Sequence, residues 1–551
     1  STFVKFLGQH NIKVGWGRQK TVNKIDESYQ GGGYVQVYWN TGLTAPIGAN
    51  QRGTYGYYAI NDTGTRGTTG GAIDSLYIQD QYRVLPRLTL SLGVRFEQEK
   101  VPSFRRDIRD NAFEFGYTDK VAPRLGASYD VLGTGRLKVY GSWGRFYDWV
   151  KYELSRGTFG GQIWNIYYRP LETTDVFSLN GNSRSGRDLW SGDPNRPRDR
   201  RVPAFDSVAR GIKPMSTELT TVGVEYQLAN NMVFRGSYVH NNLVRTIEDL
   251  GTLDASGNEV YVYGNPGEGT SLIQPTTGLT RPFPMPKPQR VYDAMELSLT
   301  KRFSSGFFYS ANYTLSRLYG NYAGLSSSDE LTSPSTGLTS AGAQGTQAAA
   351  RQGGNANRAW DLDEVLFDAQ GNLDFKGRLA TDRPHVFKLY GSKDVKWTGS
   401  QITDLGMFFF LGSGTPLTTQ VNTVNQIPVF VNGRGDLGRT PVLNYTNLLV
   451  GHTVRLKEGM SVRFEFNAEN VFNQKTARKR FTDVNRGAGA AQGGSAINLS
   501  GVDLTQGYDY NALLARTPDQ MGTRGAYDPR FGLDDLFNAG FSGRFGVKFM
   551  F

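Results

Sequence analysis

The side chains best suited to chemistry in this 551-residue chain are scattered, with one loose exception. Asp361, Asp363, Asp368 and Asp374 fall with Glu364 and Asn372 in one polar stretch. Hard oxygen donors at that density can hold calcium. The spacing D-L-D-E-V-L-F-D-A-Q-G-N-L-D is not that of an EF-hand loop, however, and residues 368–372 (DAQGN) also read as a hairpin turn, because Asp, Gly and Asn each have turn preferences of their own. Residues 254–259 (DASGNE) repeat the same turn pattern. Turn chemistry is the preferred reading, calcium the competing one, and no other cofactor is expected. His10, His240, His385 and His452 lie far apart without ligand spacing, which argues against a zinc site. His452 shares the parity of Leu448, Val450, Val454 and Leu456, so an interfacial or partner-facing ring is expected there. There is no nucleophile elbow, metalloprotease helix or phosphate loop, and no enzyme is expected.

What the remaining charged and aromatic residues do depends on the elements that carry them. Over residues 541–551 one parity holds Phe541, Gly543, Phe545, Val547, Phe549 and Phe551, and the other holds Ser542, Arg544, Gly546, Lys548 and Met550. Successive strand side chains point to opposite faces, so this segment has one aromatic and one largely polar face. A wall strand of a membrane β-barrel puts the first against lipid and the second against a wet lumen. The same period of two runs through Leu88, Leu90, Leu92, Val94 and Phe96, through Val462, Phe464, Phe466 and Ala468, and through Phe307, Tyr309, Ala311, Tyr313 and Leu315. A helix would scatter each set around its circumference. On this reading Arg95, Arg145, Arg317, Arg463, Glu465, Arg544 and Lys548 line the lumen. Trp143, Phe146, Tyr147 and Trp149, near a strand end, read as an interface girdle rather than a stacking platform.

Composition agrees. Gly is 68, Phe 32 and Tyr 29, yet hydrophobic residues reach only 38% and mean hydropathy is -0.44. No uninterrupted apolar run is long enough for a helical span. The zero cysteines exclude a disulfide scaffold. The net charge of +11 is spread over strand faces and loops, as in residues 195–201 (NRPRDRR), without the context of a nucleic-acid module, so no nucleic acid is expected.

The connections carry independent information. Tight turns are predicted near 84–87, 132–136, 228–231, 304–306, 397–401 and 458–460, and long polar stretches at about 98–120, 147–214, 244–288, 319–381, 415–446 and 473–540. The alternation of short and long matches brief periplasmic turns and extended outer loops. Residues 320–357, rich in Ser, Thr, Gly, Ala and Gln, need not be ordered. The expected fold is all-β: a transmembrane antiparallel up-and-down barrel with roughly fourteen crossings in this chain.

Read together, the hairpins resemble the C-terminal barrel portion of Oar-like TonB-dependent receptors of the bacterial outer membrane. The resemblance lies in residues 9–15 (QHNIKVG), 74–97 (DSLYIQDQYRVLPRLTLSLGVRFE), 122–129 (APRLGASY), 140–148 (YGSWGRFYD), 221–226 and 292–317 (YDAMELSLTKRFSSGFFYSANYTLSR). It continues in 379–385 (LATDRPH), 412–418 (GSGTPLT), 467–473 (NAENVFN) and 546–551 (GVKFMF). It implies a barrel of about 22 strands, with a signal peptide, a plug and a TonB box, none of which is visible. Residues 1–551 are therefore expected to be one outer-membrane barrel domain, N-terminally incomplete, with Ser1 leading straight into strand-like sequence. A self-closed barrel of fewer strands is the alternative.

The resemblance also implies a receptor or transporter that takes a ligand at its outer loops and couples to TonB through the missing N-terminal region. Competing readings are an adhesion, structural or export-associated barrel binding protein partners, and a passive porin. Outer-membrane lipid and lipopolysaccharide are the expected surroundings. Phe545, Val547, Phe549 and Phe551 look like the strand recognised by the barrel-assembly machinery.

Overall fold

The computed structural model describes all residues except 1, 151–154, 156–157, 183–184, 201, 254–258, 269–271, 274–282, 323, 325–365, 424–427, 458, 486–495, 500 and 517–526. Its frame is a single antiparallel sheet in sequence order. A short strand β1 (Thr2–Lys5) pairs with β2 (Gln9–Ser28), followed by β3 (Gly56–Leu85), β4 (Leu88–Pro102), β5 (Asn111–Asp130), β6 (Leu137–Tyr147), β7 (Ser216–Ala229) and β8 (Met232–Arg245). The meander continues through β9 (Arg290–Ser304), β10 (Phe307–Gly320), β11 (His385–Lys396), β12 (Gln401–Gly412), β13 (Leu443–Lys457), β14 (Met460–Glu469) and β15 (Ser542–Met550). Each of β2 to β15 pairs with its sequence neighbour, an up-and-down order with fourteen long strands. Among the described residues no pairing joins β15 back to β1 or β2, so the sheet here is a stretch of wall with two ends.

Every predicted tight turn joins two of these strands, and among the described residues the long connections join strand ends at the opposite rim. One expectation needs correction. Residues 98–120 are mostly strand rather than loop: β4 runs to Pro102 and β5 starts at Asn111, leaving residues 103–110 as the connection. The alternation is less clean there, because both faces of a strand that has risen past the bilayer can carry polar side chains. The hairpin of β2 and β3 rises furthest, since β3 has 30 residues, roughly 100 Å at 3.4 Å per residue. Its upper part pairs instead with the loop strands Tyr34–Trp39 and Gln162–Leu171.

The two faces differ as the pattern requires. Leu76, Ile78, Leu92, Leu405, Met407, Phe464 and Phe466 are exposed on one of them. Phe545 and Phe549 lie on the same face with exposures of 65% and 68%, and Phe551, just past the strand, is 97% exposed. No helix among the described residues is long and apolar enough to cross a membrane. The buried cores lie among the loops, as a wall whose apolar face meets lipid needs no enclosed core of its own.

Candidate functional site

The polar face of the wall is held by ion pairs within and between its strands. Arg463 on β14 pairs with Asp404 on β12 and with Glu465 two residues along at 2.7 Å. Lys548 on β15 reaches Glu465 at 2.7 Å. Gly451, between Asp404 and Glu465 in register, leaves the space into which the Arg463 guanidinium extends; a Cβ there would collide with it. Arg544 stands opposite Asn467 on the same face, and Arg95 pairs with Glu97 at 2.7 Å. Further round, Lys138 meets Glu225 at 2.7 Å and Arg124 stacks over Phe146 at 4.7 Å. Lys13, Tyr77, Arg95, Arg124, Tyr140 and Phe146 line a concavity of about 920 Å³ on this face.

Two of the arginines expected beside them are elsewhere. Arg145 pairs with Glu218 at 2.5 Å, and Arg317 stands opposite Asp293 and over the Tyr319 ring at 4.3 Å. Both share the parity of the apolar face, with Val139 and Leu315 respectively, near the long-loop rim where that face leaves the hydrocarbon. The sequence pattern shows alternation but not the height at which the outer face turns polar. The proposed girdle splits in the same way: Trp143 belongs to the outer face and Phe146 to the inner, while the Tyr147 hydroxyl donates to the Val121 carbonyl at 3.2 Å.

Above the wall the long connections form a packed cap. Leu250 and Met285 come from the β8–β9 connection, Tyr322, Leu366 and Phe367 from β10–β11, Val421, Val429 and Val431 from β12–β13, and Val484, Ile497, Leu499, Leu504 and Leu514 from β14–β15. All are buried in one cluster. Asn422 and Asn485 exchange side-chain-to-backbone bonds, with Asn422 Nδ2 to the Asn485 carbonyl and Asn485 Nδ2 to the Asn422 carbonyl both 2.9 Å. Leu514 is delivered by a short helix, Tyr510–Arg516, whose first N–H groups are accepted by the Asp509 carboxylate at 3.0 Å. Tyr322 sits deep in the cap beside Glu248 and Thr246, and burial pushes its phenol well above the ordinary value.

Sequence reading missed the residues that fasten this cap, although it singled out their motifs. In LATDRPH the fully buried Asp382 carboxylate accepts the Leu318 N–H at 2.7 Å and pairs with Arg378 at 3.3 Å and with Arg439 from the next long connection. In GSGTPLT the Thr415 N–H donates to Thr440 Oγ1 at 2.9 Å. In NAENVFN, Asn470 Nδ2 donates to the carbonyls of Gln474 at 2.9 Å and Ala539 at 2.7 Å, and Asn473 Oδ1 accepts the Phe541 N–H. Asn470 and Asn473 have φ of 47° and 49°, the left-handed region that Asn tolerates. These motifs tie loop ends to strand ends. Asp382→Ala removes charge-assisted bonds worth about 1.5–3 kcal/mol each; limited proteolysis of the loops should accelerate while the heat-resistant migration of the wall is retained.

Of the calcium candidates, Asp361 and Asp363 lie outside the described residues, as do Glu364 and residues 254–258. Asp368 acts as a turn residue: Oδ1 accepts the N–H groups of Gln370 at 3.0 Å and Asn372 at 2.8 Å. Asp374 pairs with Asn321 and with Lys376 at 3.3 Å. The four histidines stay apart, each with its own partner: His10 with Asp80 at 2.7 Å, His240 with Asp293 at 2.7 Å, His385 with Tyr313 at 2.8 Å and His452 with Thr403 at 2.9 Å. His452 does occupy the apolar face. Residues 325–357 of the low-complexity stretch lie outside the described residues.

An antiparallel meander with an apolar outer face, short turns on one rim and a loop cap on the other defines a transmembrane β-barrel of the bacterial outer membrane. The chain belongs to the family described as outer membrane beta barrel domain, whose profile matches residues 1–362. It is 28% identical over 495 residues to the TonB-dependent transporter Oar of Myxococcus xanthus, covering 85% of this chain and 42% of that protein. This chain thus spans less than half the length of that curated relative. Similar solved structures include the outer membrane transporter YddB from Escherichia coli, at 11% identity and a TM-score of 0.44, covering 87% of this chain and 59% of that one. Another is BauA, the ferric preacinetobactin receptor from Acinetobacter baumannii, at 10% identity and a TM-score of 0.41, covering 86% and 49%.

Proposed function

We propose that this chain is the larger part of the barrel of a TonB-dependent outer-membrane transporter. Its cap captures a ligand, and its charged inner wall packs against a gating domain encoded upstream. The likeness to a TonB-dependent transporter supports the class. The observation that carries the capture role is the shared core of four long connections, because a surface fixed before binding loses little entropy on binding. The complete barrel then has about 22 strands, and its lumen is plugged.

The full-length protein tests this in two ways. It should bind the isolated periplasmic domain of TonB and show little steady conductance in a planar bilayer. An adhesion or export barrel would fail the first measurement. A passive porin would fail both, with ohmic conductance.

The aromatic face of β15 serves a second role in this reading, as the strand recognised during insertion. Replacing Phe551 with Ser should reduce outer-membrane incorporation several-fold and raise turnover in the periplasm, as measured by cell fractionation. Replacing Met550 with Ser, on the opposite parity, should not.

A further inference from the structure

The outer face of β5 to β9 contains a groove of about 790 Å³ lined by Ala127, Gly141, Val222, Gly236, Tyr238 and Leu297, among others. Gly141 and Gly236 create it by lacking side chains, and their backbones do not require glycine. A Cβ at Gly141 would meet its nearest atom at 3.8 Å and one at Gly236 at 3.4 Å, and neither has a φ in the left-handed region. By contrast Gly223, on the inner face, is forced by the Tyr140 ring, 2.6 Å from where its Cβ would lie. The groove glycines are thus a choice of shape.

The register locates a boundary directly above the groove. One row across β6 to β10 reads Gly141, Val222, Tyr238, Met295, Leu315. The next row towards the long loops reads Trp143, Thr220, His240, Asp293, Arg317. The outer face changes there from apolar to charged. Asp293 Oδ1 holds both His240 Nδ1 in the same row and the Tyr238 hydroxyl from the row below, each at 2.7 Å. This leaves His240 Nε2 and the exposed Arg317 guanidinium without a hydrogen-bond partner among the described residues.

We propose that this surface binds one outer-leaflet lipid, a phosphorylated acyl glycolipid, with an acyl chain in the groove and a phosphate on Arg317 and His240. The proposal rests on the outer-membrane reading of the fold. Inside a bilayer apolar contact alone gives no preference for the wall over other lipids, so shape and headgroup pairing must supply it. The groove provides the first. Arg317 provides the second, as guanidinium matches phosphate with two parallel hydrogen bonds. The row stands on the long-loop side, which is the leaflet where such a glycolipid resides.

The test is native mass spectrometry of the full-length protein in detergent, titrated with purified bisphosphorylated lipid A and, separately, with the same lipid after removal of its phosphates. Fractionation first checks that every variant reaches the outer membrane; failure there would overturn the outer-membrane reading rather than the lipid site. A Gly141→Leu, Gly236→Leu pair fills the groove, and a His240→Ala, Arg317→Ser pair removes the imidazole and the guanidinium. Each pair should weaken retention of the phosphorylated lipid about tenfold, and the wild type should prefer that lipid over the dephosphorylated one. Unchanged retention in either pair overturns the proposal. So does equal retention of the two lipids, or loss in the leucine pair of a second protein copy rather than of lipid.

Discussion

Replacing Phe466 with Arg is expected to destabilise the inserted protein by about 2–4 kcal/mol, the cost of a cation on the lipid face near the bilayer midplane. Phe466 lies on β14 with its ring on the apolar face, opposite Val450 on one side and Phe545 on the other. Asn467, its neighbour, points the other way towards Arg544. Asn467→Arg should therefore cost little beyond the repulsion of a second guanidinium. Urea titration of the full-length protein folded into lipid vesicles measures both. Equal loss at the two positions would mean that the faces are assigned wrongly, and the reading of the whole wall would go with them.

Lys120→Met should be the most costly change above the membrane. The Lys120 ammonium is fully buried and paired with Glu99, also buried; it donates to the Asp148 carbonyl at 3.2 Å and lies over the Phe115 ring. Removing it leaves the buried Glu99 carboxylate with the Val150 N–H as its remaining donor among the described residues. Breaking a buried pair from one side costs about 3–5 kcal/mol. Adding Glu99→Gln should recover much of the loss, since the amide oxygen still accepts from Val150 while the unpaired charge is gone. A double variant as unstable as the sum of the two singles would show that the pair does not act as a unit.

The wall was legible in the sequence because its physics is local. Period two is written into residues 88–96, 462–468 and 541–551, and each tight turn has its own signal, so strand order followed from counting hairpins. What was not legible depends on height and on contacts distant in sequence. Arg145 and Arg317 share the parity of Val139 and Leu315, so alternation puts them on the outer face rather than in the lumen, and no single strand records that this face has turned polar at their height. Asp382 was visible as part of a motif, yet its role appears only when Arg439, 57 residues later, folds over it. The cap core was invisible for the same reason. Leu250, Val421 and Ile497 each sit in stretches that read as polar loop, and only their convergence makes them a core.

That convergence has a consequence for the order of biogenesis. The cluster draws residues from Leu250 to Leu514, so its last contributors reach the surface only when the closing hairpin of the polypeptide is seated beside its neighbour. A half-inserted intermediate would therefore show the cell exterior a set of loose apolar segments. Once that hairpin is seated, the four connections share one buried cluster.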